Sequence, residues 1–239
     1  MSTSSNLLTV RGVMVRFGGV MAVGGVDIDL PGGRVTGLIG PNGAGKTTLF
    51  NVISGMQEST SGTVHVDGDE ITRESPHRRA RRGLARTFQR LELFGSMTVR
   101  DNVRVAAELA GVRDVDTAVN GLLERVGLSD RADHTAGDLP TGSARLVEIA
   151  RALATKPRFL LLDEPASGLD DLESEQLGSL LRSLVADGLA VLLVEHDMGL
   201  VMHVCDHIYV LDLGRIIASG NPDEIQHHPE VLRAYLGAA

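Results

Sequence analysis

Eight consecutive residues, Gly40-Pro41-Asn42-Gly43-Ala44-Gly45-Lys46-Thr47, constrain this chain more than any other part of it. They fit the spacing G-x-x-x-x-G-K-[ST]. They also lie between an apolar run that predicts a strand, Arg34 to Ile39, and a stretch with helical spacing, Thr47 to Ser54, which is the setting such a loop requires. Glycines let the backbone curl until its N–H groups face inward, and the helix that follows adds the positive end of its dipole at the same point. A phosphate chain is the ligand that suits such a cradle. Lys46 is expected to reach its β- and γ-phosphates, and the Thr47 hydroxyl to ligate Mg²⁺, with Thr48 completing the binding set.

A second element agrees with the first. Leu160-Leu161-Leu162 predicts a buried strand that ends in Asp163 and Glu164. Two acids after an apolar strand also serve simply to solvate its end. Beside a phosphate loop they read as a metal ligand, Asp163, and a group facing the water that attacks the γ-phosphate, Glu164. The guanine-reading motif N-K-x-D does not occur, which favours ATP over GTP.

Around these motifs the chain divides by pattern. Leu8 to Phe17 and Val23 to Leu30 alternate with β-branched residues and predict an antiparallel pair, and Gly62 to Val66 and Leu84 to Phe88 predict further strands. From Thr98 to Ala154 the pattern is helical, with Leu146, Ile149, Ala150 and Leu153 on one face. After Arg158, strands and helices alternate: Phe159 to Leu162, Leu172 to Ala186, Leu189 to Val194, His196 to Val204, Ile208 to Leu211. This predicts a parallel α/β sheet buried on both faces. With 239 residues and 43% apolar side chains, one domain can bury a full core. The net charge of -8 argues against a dedicated nucleic-acid binder. The single cysteine, Cys205, fits a reducing compartment, no secretory signal is visible at the first residues, and every apolar run is far shorter than the ~20 residues that cross a bilayer. A cytoplasmic protein is expected, with any membrane role supplied by a partner.

Further residues follow the phosphate loop in a telling order, and with them the chain resembles the ATP-binding subunits of ABC transporters over nearly its whole length. Phe17 matches the aromatic that stacks on adenine in that family. Gln89, in Arg86-Thr87-Phe88-Gln89, matches the glutamine that senses metal and water and couples to the membrane subunits. Ser167-Gly168-Leu169-Asp170 resembles the loop that communicates across the dimer, and His196 matches the histidine that holds the γ-phosphate. The resemblance implies an ABC-type P-loop ATPase with a parallel RecA-like core sheet, an N-terminal antiparallel β subdomain and an inserted helical subdomain. Residues 1–90 and 156–239 would form the ATP-binding core and residues 91–155 the helical subdomain. It implies catalysis by Glu164, His196 and Gln89, and Mg²⁺ held by Thr47, Gln89 and Asp163. The stretches G-L-A-R-T-F-Q, M-T-V-R-D-N-V, V-E-H-D-M-G-L-V-M and the ending A-Y-L-G narrow the resemblance to ATPases of branched-chain, or hydrophobic, amino-acid uptake. A related ATPase of lipopolysaccharide export shares several of these features. A non-transport ABC ATPase would usually carry two fused ATPase units or a coiled-coil insertion, and neither is seen. The partners implied are two membrane permeases, a second ABC ATPase and an extracytoplasmic substrate-binding protein, with this chain peripheral on the inner face of the cell membrane.

One departure stands out. The family's signature loop normally reads L-S-G-G-Q, or L-S-x-G-Q, at the start of a helix that caps the partner's ATP. Here it is Leu139-Pro140-Thr141-Gly142-Ser143. Pro140 supplies neither the hydroxyl nor the N–H of the expected serine, and Thr141, one residue later, carries its hydroxyl about 100° round the helix. Proline suits the first helical position, so the helix start and Gly142 are expected to keep their geometry. An asymmetric heterodimer with one strong site, on this chain's phosphate loop, follows from that loss; a working variant with both sites active is the alternative. The arginines at 78, 79, 81, 82, 86 and 90 read as a solvated basic face, or as a contact for the membrane subunit. His203, Cys205 and His207 read as packing rather than a metal site, and Met97, Met198 and Met202 as core filler.

Overall fold

The computed structural model describes residues 7–236. The first six residues, read above for a leader, and Gly237 of the A-Y-L-G ending lie outside that range. Two apolar-faced strands, β1 (Leu7–Phe17) and β2 (Val20–Pro31), pair antiparallel around the Gly18-Gly19 turn. After β3 (Val35–Ile39) and helix α1 (Lys46–Ser54), the strands β4 (Ser61–Val66) and β5 (Asp69–Glu70) join them in a four-stranded sheet of order β2-β1-β4-β5.

The middle of the second sheet is buried on both faces. This sheet receives β6 (Leu84–Arg86), β7 (Phe159–Asp163), β8 (Ala190–Val194), β9 (His207–Asp212) and β10 (Arg215–Gly220), in the order β10-β9-β3-β8-β7-β6. Its first five members in chain order run parallel, as the apolar runs predict. The sixth, β10, is an addition to the expected sheet and returns antiparallel along β9 through a tight turn at Leu213-Gly214. Side chains from α1 (Leu49, Phe50, Val52 and Ile53) are buried together with Leu8, Val10 and Ile28 of the first sheet and Leu38, Leu161 and Leu192 of the second. The helix that starts at the phosphate loop is thus clamped between two sheets.

The helical stretch between β6 and β7 contains α3 (Val99–Leu109), α4 (Val115–Arg125) and α5 (Thr141–Ala154), with short 3₁₀ turns at Ser129–Arg131 and Ala136–Asp138. Thr98 and Asp114 cap α3 and α4 through their side chains. On the outer side of the parallel sheet pack α6 (Asp171–Ala186), α7 (Met198–Val204), α8 (Pro222–Gln226) and α9 (Pro229–Leu236). The arginine-rich stretch carries a short helix of its own, α2 (Pro76–Arg81), which the absence of apolar periodicity concealed. No helix among the described residues is long and apolar enough to cross a membrane.

Candidate active site

The phosphate loop joins β3 to α1, and two of its glycines have no alternative. Gly40 has φ 150°, and a Cβ there would lie 1.9 Å from the Leu211 carbonyl oxygen. Gly45, the N-cap of α1 at φ 106°, would bring a Cβ within 2.4 Å of the Ala22 oxygen. The tips at Asn42 and Gly43 are exposed, Pro41 is half-buried and Ala44 is buried. Lys46 is 7% exposed, and its Nζ donates to the carbonyls of Gly40 at 2.6 Å and Pro41 at 3.0 Å. Burial pushes the ammonium below its ordinary value, while the Glu164 and Asp163 carboxylates pull it back up. Thr47 is exposed at the first turn of α1 and Thr48 is half-buried behind it. Phe17 ends β1 with its ring half exposed, on the hairpin that brings Ala22 against Gly45.

Strand β7 delivers the two acids to the same mouth. Asp163 is 3% exposed, its amide donates to the Thr87 hydroxyl at 3.3 Å, and among the described residues no donor reaches its carboxylate. Burial and then the neighbouring Glu164 charge raise its pKa, with Arg86, Arg145 and Lys46 opposing. A buried acid held above its ordinary value and without hydrogen-bond donors is a fitting ligand for a divalent cation. Glu164 is one of few non-glycine residues at positive φ, 52°, held there by its amide bonding to the Val194 oxygen at 2.8 Å. That turn aims its carboxylate at two partners. His196 Nε2 lies 2.6 Å from Oε1, and Gln89 Nε2 donates to Oε2 at 3.4 Å. Residues 89, 164 and 196, distant in sequence, therefore converge on one carboxylate.

The signature residues gather at a different place, against the loop at 167–170. A Cβ at Gly142 would meet Leu169 Cδ2 at 2.6 Å and Glu173 Oε2 at 2.7 Å, and one at Gly168 would meet the Thr141 methyl at 2.9 Å. Asp170 caps α6, accepting from the Glu173 amide at 2.8 Å while Glu173 accepts from its amide in return. Ser167 is exposed. Pro140 occupies the N-cap of α5 rather than its first helical position: its ψ of 151° is extended, and helical dihedrals begin at Thr141. Leu139 packs on the core, and the Ser143 hydroxyl is engaged by Arg131 Nη1 at 2.8 Å. No hydrogen bond joins 139–143 to the phosphate loop among the described residues.

Several residues that matter here carry no motif. Glu195 is 4% exposed; its Oε1 accepts from the Ala166 amide at 2.7 Å and its Oε2 from the His196 amide at 2.9 Å, stapling the turn after Glu164 to the histidine. An acid closing the apolar strand before His196 was the available signal. The expected solvated arginine face is realised at three of its six positions. Arg79 is fully buried and donates to the Val52, Ile53, Thr72 and Glu74 carbonyls. Arg82 binds Glu74 and Asp69, and Arg86 binds Asn51 and Ser54 and stacks over Phe50 and Phe88. Only 78, 81 and 90 are exposed. Cys205 is buried against Gly37 with its thiol pushed up to about 12, mainly by burial, and no cluster of three or more His, Cys, Asp or Glu side chains placed to hold a metal ion occurs among the described residues. Met198 and Met202 pack on the core as expected, whereas Met97 is 40% exposed.

Comparison with known proteins identifies the family. The family model for ABC transporters matches residues 23–167, and one for branched-chain amino acid ATP-binding cassette transporters matches residues 215–239. The chain is 42% identical to the high-affinity branched-chain amino acid transport ATP-binding protein BraF of Pseudomonas aeruginosa, covering 99% of this chain and 100% of that protein. It is 40% identical to LivG of Escherichia coli, described in the same words, with the same coverage. Its fold superposes on an ATP-binding cassette of an ABC transporter in its ADP conformation with a TM-score of 0.88 at 32% identity, over 97% of this chain and 99% of the other. A nucleotide-free ATP-binding cassette gives 0.87 at 32% identity. Fold, phosphate loop and relatives together show that the chain belongs to the ABC transporter family, as an ATP-binding subunit that hydrolyses ATP.

Proposed function

We propose that this subunit powers the import of branched-chain or other hydrophobic amino acids, working beneath two membrane permeases with a second ABC ATPase and an extracytoplasmic binding protein. The convergence of Gln89 and His196 on Glu164, at the mouth of the phosphate loop, is the observation that carries the hydrolytic part. The substrate class rests on the relatives named above. Phe17 stacks on adenine. Residues 40–48 hold the phosphates, with Lys46 exchanging its loop carbonyls for phosphate oxygens. Thr47, Asp163 and Gln89 are the residues that would hold Mg²⁺, which when bound neutralises phosphate charge. Glu164 orients the attacking water and accepts its proton, and His196 holds both Glu164 and the γ-phosphate. Residues 91–155 act as the helical signature subdomain inserted into a core of 1–90 and 156–239.

Ser167 to Asp170, seated on Thr141 and Gly142, carries contact across the dimer. A groove of about 420 Å³ bounded by Met56, His77, Ala80, Phe88, Glu92 and Arg151 opens beside Gln89 and supports docking of a permease's cytoplasmic helix, on the inner face of the membrane. ATP turnover and leucine uptake are to be measured on the assembled system in vesicles. Glu164→Gln should abolish this subunit's turnover while ATP still binds. Full uptake with that variant, or uptake indifferent to branched-chain amino acids, would overturn the assignment.

A further inference from the structure

The loop that carries Gln89 is held from one side by α5, the helix whose first residues are the signature. Arg145, on the second turn of α5, donates from Nη1 to the Phe88 carbonyl at 2.8 Å and from Nη2 to the Gln89 carbonyl at 2.5 Å. Nη1 also pairs with Glu148 Oε2 at 3.1 Å, and Glu148 Oε1 accepts from the Glu92 amide at 2.8 Å. Arg151 donates to the Glu92 carbonyl and lies over the Phe94 ring at 4.9 Å. Phe88, Gln89 and Glu92 are thus pinned through their backbones to side chains of a single helix.

The Arg145–Glu148 pair makes little sense as a source of stability. Their side chains are only 9% and 5% exposed, so both charges have lost their water. Burial raises the Glu148 carboxyl in spite of its partner, and Arg145 Nε is buried with no acceptor. A buried ion pair of this kind is often no more stable than two apolar side chains of similar volume. What apolar side chains cannot do is hold three backbone groups of a loop.

We propose that Arg145 and Glu148 are positioning residues that tie Gln89 to the signature helix, so that a displacement of α5 is carried into the glutamine facing Glu164. Gly142 and Arg145 are three residues apart on one rigid helix, about 4.5 Å along its axis. The Gln89–Glu164 contact of 3.4 Å stands at the outer limit of a hydrogen bond, so a shift of less than about 1 Å makes or breaks it. A nucleotide that the partner subunit presents to the signature end would therefore alter the reaction centre of this chain. This inference rests on the dimer and on the role of Glu164 proposed above.

The test uses the assembled complex and five variants of this chain. Arg145→Lys keeps the charge but loses the fork; it is expected to lower kcat roughly tenfold to hundredfold, as small misplacements of catalytic groups do, with ATP affinity changed less than about twofold. In a Gln89→Ala background the same substitution should change kcat by less than about twofold, because the group it positions is gone. Arg145→Met combined with Glu148→Met removes both buried charges at similar volume. That protein should melt as the parent does, yet be slow, and amide hydrogen exchange should rise in residues 88–94 without rising in α5. Losses that multiply between Arg145→Lys and Gln89→Ala, or parental turnover in the double methionine variant, would overturn the inference. Glu164→Gln is the control: if it leaves this subunit's turnover intact, the proposed reaction centre fails instead.

Discussion

Replacing Pro140 by serine isolates the departure of the signature loop that removes the expected serine hydroxyl and N–H. Pro140 is the N-cap of α5 with φ −55° and ψ 151°, dihedrals that serine adopts freely, and the helix has no side-chain cap. A serine there can accept from the Gly142 or Ser143 amide, worth about 1 kcal/mol, while the loss of proline's stiffness in the unfolded chain costs about 0.4–1 kcal/mol. The two offset, so the variant should melt within about 4 °C of the parent. Function should respond far more. A preorganised donor aimed at charge developing in a transition state is worth roughly 10²- to 10³-fold in rate. Since the signature helix is proposed to act on the neighbouring subunit's nucleotide, the gain is expected at the other site. Combining Pro140→Ser with Glu164→Gln silences this chain's own site and lets steady-state ATP hydrolysis report the other one alone. Turnover should rise at least about tenfold over Glu164→Gln alone, or about 1.4 kcal/mol of barrier. Unchanged turnover in a properly folded variant would show that the missing serine limits nothing, and the asymmetry argument would fall.

Arg79→Ala should destabilise the protein by roughly 3–5 kcal/mol in urea unfolding, because it strands carbonyls of Ile53, Thr72 and Glu74 and leaves Val52 only the Gly55 amide; a loss below about 1 kcal/mol would show that water replaces it at no penalty. Asp163→Asn should raise the melting temperature of Mg²⁺-free protein at pH 7. Burial and the Glu164 charge raise the Asp163 carboxyl, so the folded state holds that proton more tightly than the unfolded chain, and stability is lost as pH rises through the raised value. The advantage of the asparagine should shrink as pH falls towards about 4, the ordinary carboxylate range, and a gap independent of pH refutes the account. Glu195→Ala strands the Ala166 and His196 amides and should cost about 2–4 kcal/mol, read as a lowered urea midpoint at unchanged slope.

What the chain's pattern disclosed and what it hid have different physical origins. The phosphate loop was legible because its ligands are adjacent in sequence and its glycines answer to local backbone geometry, as Gly40 and Gly45 do. Strands β3, β7 and β8 were legible because burial on both faces leaves an unbroken apolar run. The antiparallel β10 was not, since its Ile216-Ile217-Ala218 core follows a turn and neither alternates nor runs long. Arg79 and Arg78 are the same residue type one position apart, but on a helix they point about 100° apart, and only the carbonyl ends of α1 decide which is buried. Likewise the roles of Arg145, Glu148 and Glu195 depend on backbone groups that lie tens of residues away.

The altered signature separates two things that a serine would have combined. The amides of Thr141, Gly142 and Ser143 have no acceptor among the described residues, so the positive end of α5 is intact. Its hydroxyls are another matter: Ser143 is buried with its oxygen accepting from Arg131, and the exposed Thr141 packs its methyl towards Gly168. What α5 offers a neighbouring phosphate is therefore mainly backbone, without the donor that the expected serine would add. On the function proposed above, such an end closes a dimer over nucleotide with one donor fewer for its hydrolysis. On the function proposed above, this chain's own site lacks nothing comparable, since the side chains of Lys46, Asp163, Glu164, Gln89 and His196 gather at one mouth. Closure driven by two nucleotides and release driven chiefly by one, at Glu164, is the division of work that we propose.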